Sequence, residues 1–433
     1  MIFNNVRWMA LALAAVLPTA AFAASETSVL VSILVRKGIL TEAEAKEVVA
    51  EMSAMTGAAA PDAIPVAEAT PDVVGTPVPE AKPAKKEPVY VAAASKIATG
   101  FKLGGRLQVQ YAGLDTDIDG TDNDPAQTRH FFLRRVYLGT SVDFGEQWSA
   151  KVTYDFASAG FDAAYIRFEA DDQNLFDFGL RKVNFAYEET LSSGSIPAIE
   201  RSGLTRYFVE TNNGRRLGAG SYRIGAFYEG ESGNLFYGAS VTNPERPINA
   251  ADAAAQGDVF NNGLAFWANG GIKTKYEGGS AIFGAAFGYM KDQGAVVGTG
   301  RDLTVGSIYT DAKMGGLRLI AEVLAADDGV GNPWGYSLQP IFAITPTLEG
   351  VVRLSYVDSD GRGIRLSDGV RSAPGGGTMD KLYEGYLGAN WFIMGNDLKL
   401  QGGLVVGRSM DGLDGSDAEA TTFGLRSQLQ VNF

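Results

Sequence analysis

From Lys96 onward the chain is written in long stretches of period-two alternation, and that rhythm restricts its fold more than any other feature. The last segment shows it best. Phe423, Leu425, Leu429, Val431 and Phe433 share one parity, while Thr422, Arg426, Gln428, Gln430 and Asn432 share the other. Strands of soluble proteins usually run about 5 or 6 residues; this one runs about 10, the length that crosses a bilayer. Phe101, Leu103, Leu107, Val109 and Tyr111 oppose Lys102, Arg106, Gln108 and Gln110 in the same way. Trp148, Ala150, Val152, Tyr154 and Phe156 likewise oppose Ser149, Lys151, Thr153 and Asp155. The apolar parity is nearly free of charge, as a lipid-facing side must be, since Arg or Lys there costs about 2 to 4 kcal/mol at the midplane.

No helix competes for the membrane. The apolar run from Trp8 to Leu17 is shorter than the roughly 20 residues a spanning helix needs. A chain that crosses a bilayer without such helices must close its strands into a barrel, because open sheet edges cannot be satisfied in hydrocarbon. We count about 16 alternating segments, an even number as in bacterial barrels. Short connections at Gly145–Gln147, Asp171–Asn174, Glu231–Gly233, Glu277–Gly279, Gly315, Pro346 and Gly395–Asp397 alternate with long ones at Leu114–Thr128, Glu188–Leu217, Asn243–Asn262, Asp292–Arg301, Asp327–Pro333, Asp358–Met379 and Ser409–Thr421. Short periplasmic turns and long outer loops are the rule for such barrels. The connection Ala157–Gly160 is short where a long loop is due. The fold class predicted is therefore all-β, a transmembrane antiparallel β-barrel preceded by a short N-terminal helical segment.

Residues 1–23 read as a secretory signal, with Arg7 in its basic region and Ala21-Phe22-Ala23 at its cleavage site. Residues 24–56 read as a periplasmic helical or coiled-coil segment: Thr41 and Glu44 form a capping box, and Ala45, Val48, Val49 and Met52 a narrow apolar stripe. Pro61, Pro65, Pro71, Pro77, Pro79, Pro83 and Pro88 make 57–98 an extended linker. The barrel occupies 99–433.

Composition narrows the chemistry. With no cysteine and one histidine, thiolate metal sites and cysteine nucleophiles are excluded. A net charge of -13, from 37 Lys and Arg against 50 Asp and Glu, argues against nucleic acid as a partner. The lumen has its own balance. Parity places Lys102, Arg106, Lys151, Arg167, Arg181, Arg223, Lys273, Lys275, Arg318, Arg353, Lys399 and Arg426 inside, against fewer acids: Asp155, Glu169, Asp177, Glu229, Glu322, Glu349 and Glu384. A basic surplus in a narrow channel concentrates anions, and arginine grips oxyanions bidentately. The parity of Phe131–Val142 is ambiguous, which leaves Arg135 open. The connection Glu188–Leu217 carries Glu188, Glu189, Glu200, Arg201, Arg206, Glu210, Arg215 and Arg216, and folded inward it would set selectivity.

Two further sites are weighed. Asp115-x-Asp117-x-Asp119-Gly120 matches the front half of a calcium loop, but the twelfth position is Ala126, so a solvated acidic loop is preferred to weak divalent binding near lipopolysaccharide. His130, the sole histidine, could serve a barrel hydrolase, yet no nucleophile motif accompanies it, and no enzyme and no cofactor are expected.

The stretch Asn184–Ser202, with Phe185, Glu188, Ser192, Ser193 and Ile199-Glu200-Arg201-Ser202, then Gly214-Arg215-Arg216, resembles a segment of the phosphate-selective porins, the porin O and P family. Phe132-Leu133-Arg134-Arg135-Val136-Tyr137-Leu138-Gly139, Asp162-Ala163-Ala164-Tyr165 and the terminal Phe433 agree with it. The resemblance implies a homotrimer of 16-stranded barrels in the outer membrane of a Gram-negative bacterium, with the third loop folded inward and an arginine-lined route for phosphate or other small anions. Phe433 resembles the terminal aromatic read by the barrel-assembly machinery. The sequence departs from the family at Asn184, where proline is expected, and in lacking a matching central lysine cluster. The residues expected along the anion path are Lys102, Arg106, Arg135, Arg167, Arg181, Arg201, Arg206, Arg223 and Arg353. A general or cation-preferring channel and a non-conducting structural or adhesin barrel are the alternatives.

Overall fold

A computed structural model describes Lys46 and residues 98–119, 127–245 and 263–433. The chain divides into two compact units, residues 1–85 and 86–433, and everything described beyond Lys46 belongs to the second. The export signal at 1–23, the helical segment at 24–56 and nearly all of the linker at 57–98 therefore fall outside the described residues, apart from Lys46, which is helical.

Sixteen strands are described: β1 (Gly100–Ile118), β2 (Thr128–Phe144), β3 (Trp148–Asp155), β4 (Gly160–Glu169), β5 (Asn174–Lys182), β6 (Tyr222–Ser232), β7 (Leu235–Thr242), β8 (Ala265–Tyr276), β9 (Gly279–Met290), β10 (Leu303–Met314), β11 (Leu317–Asp327), β12 (Trp334–Thr345), β13 (Leu348–Asp358), β14 (Met379–Phe392), β15 (Leu398–Gly412) and β16 (Glu419–Asn432). Each pairs antiparallel with its sequence neighbour, and β16 returns to β1 to close the barrel. The alternation of short and long connections is as expected, including the short one at 156–159 on the long-loop side.

The exposure pattern inverts that of a soluble protein. On β16, Phe423 and Leu429 are 57 and 44% exposed while Arg426, Gln428 and Gln430 are at most 2% exposed. A continuous apolar belt outside and polar side chains inside is stable only where the outside solvent is hydrocarbon.

Closure runs from Arg106 opposite Asn432 to Ile118 opposite Ala420. On the lumen side, amides stitch the seam: Gln110 donates to Gln428 at 2.7 Å, Gln428 to Gln401 at 2.7 Å, and Gln401 to Asn390 at 2.8 Å. The amide carries both donor and acceptor, so such a ladder can pass from strand to strand, and it ends at the Gln110 oxygen, which has no partner among the described residues. At the short-turn end the Phe433 carbonyl accepts from the Gly105 amide at 2.8 Å.

Two bulges re-aim side chains. Gln108 pairs with Arg135 and Val109 with Leu133, so Arg134 is an extra residue in β2. This answers the parity question of Phe131–Val142, because a bulge lets consecutive side chains turn to the same face. Arg134 reaches Glu200 at 2.5 Å and Arg135 reaches Gln108 at 2.7 Å. On β4, Thr153 pairs with Ala163 and Tyr154 with Phe161, which makes Asp162 the extra residue. Its carboxylate accepts from the hydroxyls of Tyr137 at 2.9 Å and Tyr222 at 2.5 Å.

Gly105 is required by close approach: a Cβ there would sit 2.4 Å from the Phe433 ring and 2.6 Å from the Tyr137 carbonyl oxygen, which is backbone and cannot step aside. Gly105→Val should cost about 1 to 3 kcal/mol through overpacking at the seam. It should lower the temperature at which the folded barrel band converts to the unfolded one on electrophoresis; an unchanged conversion temperature would refute this account of the seam.

Candidate functional site: the charged constriction

The connection from β5 to β6, residues 183–221, is folded into the barrel. It carries α1 (Tyr187–Thr190) and α2 (Gly203–Val209), and a second inward connection, 359–378, carries α3 (Leu366–Gly369). On α2, Leu204, Tyr207, Phe208 and Val209 are fully buried and share one apolar cluster with Val357, Ile364, Leu366 and Leu382. Ser202 caps α2, its hydroxyl accepting from the Thr205 amide at 3.2 Å. The third-loop expectation from Glu188–Leu217 is thus met, with wider bounds and a second loop beside it.

A loop buried in a lumen must find partners for its backbone, and the barrel wall supplies them. Glu322 on β11 accepts the Tyr187 and Glu188 amides at 2.6 and 3.2 Å. Glu384 on β14 accepts the Gly203 amide at 3.0 Å. Lys399 donates to the Gly194 carbonyl at 2.8 Å, Asn390 and Gln401 donate to the Pro197 carbonyl, and Arg353 donates to the Glu200 carbonyl at 2.6 Å.

Charged side chains then lock the loop laterally. Glu200 takes Arg134 at 2.5 and 3.1 Å in a bidentate pair and Arg371 at 3.0 Å. Glu188 and Glu384 hold Arg353 at 3.4 and 2.5 Å. Glu210 binds Arg206 at 3.0 Å, Arg216 at 2.6 Å, and Arg371. Arg201 pairs with Glu189 at 2.6 Å, as does Lys182 at 3.2 Å. Asp368 of α3 grips Arg215 at 2.6 Å, and Arg362 joins Asp328 at 2.6 Å to the carbonyl of Arg215 at 2.5 Å. Burial alone pushes the Glu200 and Glu210 carboxyls up. The guanidiniums of Arg134 and Arg371 outweigh it at Glu200 and hold that group well below the usual carboxylate range. Those of Arg206 and Arg371 bring Glu210 down to about 2.

The expected path residues separate into three groups. Arg135, Arg201, Arg206 and Arg353 meet at the constriction, although Arg201, Arg206 and Arg353 are held by carboxylates. Arg167 and Arg181 sit lower and share Asp177, the first bidentate at 2.8 and 2.9 Å, the second reaching Glu229 as well. Arg223 donates to the Gly218 carbonyl at 2.7 Å. Lys102 stands apart at the short-turn rim, 3.6 Å from Asp143. Among the described residues the hydrogen-bond partners of Arg106 are neutral: Ser193 at 2.8 Å, Ser192 at 3.3 Å and Asn432 at 2.8 Å.

The sequence did not single out Arg134, Arg371, Asp368 or Arg362 for the constriction. The Arg134-Arg135 doublet inside an alternating strand is a legible sign of a bulge. Arg371 and Asp368 were visible only as charges in another long loop.

The two sites weighed apart from the lumen are placed as follows. Asp115 and Asp117 lie on β1 opposite Phe423 and Thr421, and the rest of the calcium-like stretch, 120–126, lies outside the described residues. Among the described residues no group of three or more Asp, Glu or His ligands gathers. His130 is exposed at the long-loop end of β2, its ring 5.3 Å from Phe132.

Toward the short-turn end, a cavity of about 520 Å3 is bounded by Glu169, Asp171, Asp172, Glu229 and Glu231 with Lys273 the one cation in its lining. It is floored by Tyr187 and Tyr309, whose rings stack at 4.6 Å.

Residues 101–259 match the family model described as phosphate-selective porin O and P, the family the sequence motifs resemble. No curated protein matches the chain. Among solved structures, the barrel is similar to the anion-selective porin from Comamonas acidovorans, at TM-score 0.53 and 13% identity over 77% of this chain and 99% of that one. It is similar to the outer membrane channel DcaP of Acinetobacter baumannii, at TM-score 0.52 and 14% identity over 78 and 99%. Pseudomonas putida OprB follows at TM-score 0.51 and 11% identity over 77 and 94%. The fold is that of the porins.

Replacing Glu200 by Gln should leave Arg134 and Arg371 without a buried counter-charge, loosening the inward loop by about 3 kcal/mol. Single-channel recordings should then show a larger and noisier conductance; an unchanged, quiet channel would contradict the lock. Because the folded carboxyl of Glu210 is depressed, its charge stabilises the loop fully above about pH 4.5, and that contribution is lost as pH falls through about 2. Channel noise should accordingly stay flat from neutral pH to about 4.5 and rise only below it.

Proposed function

We propose that the protein is a porin of a Gram-negative outer membrane that passes small anions by passive, electrostatically biased diffusion, with phosphate or polyphosphate as the first solutes to examine. The observation that carries this reading is the uneven compensation of charge. On β1, β2, β15 and β16, four lumen cations, Arg106, Arg135, Lys399 and Arg426, have no carboxylate partner among the described residues. The arginines gathered on the far side and on the inward loop are matched by Glu188, Glu189, Glu200, Glu210 and Glu384. Matched pairs give little field at a distance, whereas unmatched cations in a narrow, poorly polarisable channel attract anions.

The 101–259 family match and a porin fold support the pore itself. A homotrimer is supported by the short wall of β3, β4 and β5, whose outer face shows Val152, Ile166 and Phe178 at 43, 51 and 48% exposure. The Phe433 ring, 71% exposed at the short-turn end, is accessible to an assembly factor. A cation-preferring pore is the second reading, and what favours it is the acidic cavity around Glu169, Asp171, Glu229 and Glu231.

Planar-bilayer recordings under a KCl gradient decide between them. The anion reading expects a reversal potential of anion sign and block by millimolar or lower phosphate. Arg106→Gln and Lys399→Gln should each lower the anion-to-cation permeability ratio several-fold, in line with about 1 kcal/mol for a unit charge near a permeating ion. Cation preference would give the acidic cavity control, and no conductance would leave a structural barrel.

A further inference from the structure

The cavity of about 520 Å3 at the short-turn end is walled by β4–β10 and the start of the first inward loop, and its lining joins two features that a channel wall alone does not require. The first is unspent negative charge. Of its carboxylates, Glu229 accepts from Arg181 and Asn184, Glu231 pairs with Lys273, and Asp171 accepts from the Gln173 amide and the Asn174 side chain. Glu169 and Asp172 have no side-chain partner among the described residues. The second is an aromatic floor with a free oxygen. Tyr309 is only 9% exposed, yet its hydroxyl makes no hydrogen bond among the described residues. Its ring lies across β9 at Gly284, where a Cβ would overlap the hydroxyl end of the tyrosine, and Tyr187 stacks on it at 4.6 Å and 15°. The Tyr187 hydroxyl is spent on Asp311 at 2.7 Å, whereas the Tyr309 oxygen is uncommitted. A buried hydroxyl ordinarily has a partner, and here the space that could supply one is the cavity itself.

We propose that this cavity binds an organic cation of the alkyl-diamine class, entering from the short-turn side. Each part of such a molecule has a counterpart in the lining. Glu169 and Asp172 at the rim attract one ammonium. A second ammonium against the Tyr187 and Tyr309 rings gains from their negative faces and donates to the Tyr309 oxygen. The alkyl chain between them meets Phe236 and Ile282. The volume lies within the roughly 300 to 1,000 Å3 of small-molecule sites. A bare metal ion fits poorly, because among the described residues no group of three or more carboxylate or histidine ligands gathers, and the aromatic floor would go unused. The site does not rest on the anion reading, since a pore of either preference can hold a diamine in a cavity beside its constriction.

Calorimetric titration of the full-length protein with putrescine, in an uncharged detergent at low salt, gives the test. Its readout is binding rather than conductance, so it does not depend on which ions the pore prefers. Saturable uptake of one putrescine per chain is expected, with n-butylamine binding more weakly for want of the second ammonium. Replacing Glu169 by Gln together with Asp172 by Asn should weaken putrescine about tenfold, as the loss of two exposed ion pairs allows. Both carboxylates are exposed, so this variant should still fold. Tyr309→Phe keeps the ring stack and removes only the oxygen, and should weaken binding several-fold. No saturable binding to the wild type, an unchanged affinity in either variant, displacement of putrescine by an equal concentration of magnesium, or equally tight binding of the uncharged butanediol would each overturn the assignment.

Discussion

Hydrocarbon offers no partner for a peptide group, so a sheet crossing it has to end where it began. In this protein that requirement falls on one seam, β1 against β16. Gly105, the Phe433 carbonyl and the glutamine ladder from Gln110 to Asn390 all serve it. Closure also creates the second problem the structure has to solve. A barrel of this circumference encloses space that water would fill, and function depends on how much of that space the chain gives back.

The chain gives it back selectively, by folding 183–221 and 359–378 inward. An apolar plug would have closed the lumen at least cost. Here the filling is apolar where α2 and α3 pack on Leu382 and Val357 and where Phe185 meets Trp267, and much of the remainder is held by carboxylates bridging arginines. A buried ion pair adds little stability over an apolar isostere, yet it is strongly destabilising when one partner is removed. Such pairs therefore fix the loop in one register rather than merely holding it in. Glu200 illustrates the point, since a single carboxylate joins β2 through Arg134 to the second inward loop through Arg371.

The barrel was legible in the sequence because a period of two and strand length are imposed by the bilayer along every strand, as the agreement between the Phe423–Phe433 alternation and its exposure shows. Within the lumen the same alternation names which side chains point inward and nothing more. It placed Arg353 inside correctly, but it could not show that Glu188 and Glu384 claim it, because those partners lie 165 and 31 residues away. It was undecided on β2 for a local reason: a bulge at Arg134 resets the parity that the method counts. The calcium-like spacing of Asp115, Asp117 and Asp119 is ambiguous for a related reason, since the same every-other-residue spacing occurs in a cation-binding loop and along one face of a strand such as β1.

Counting inward-facing cations therefore overstates the field of such a pore, and the correction is spatial. Arg201, Arg206 and Arg353 add to the count and subtract from the field, being neutralised in place. Arg106, Arg135 and Lys399 rest on serines, amides and a carbonyl, which orient the charge without cancelling it. Neutral hydrogen bonds are how a protein can keep a cation buried, ordered and still electrostatically active. If the proposed anion route holds, the wall carrying Arg106, Arg135 and Lys399 is where a permeating ion would meet uncancelled charge, while the carboxylate-matched arginines serve the loop.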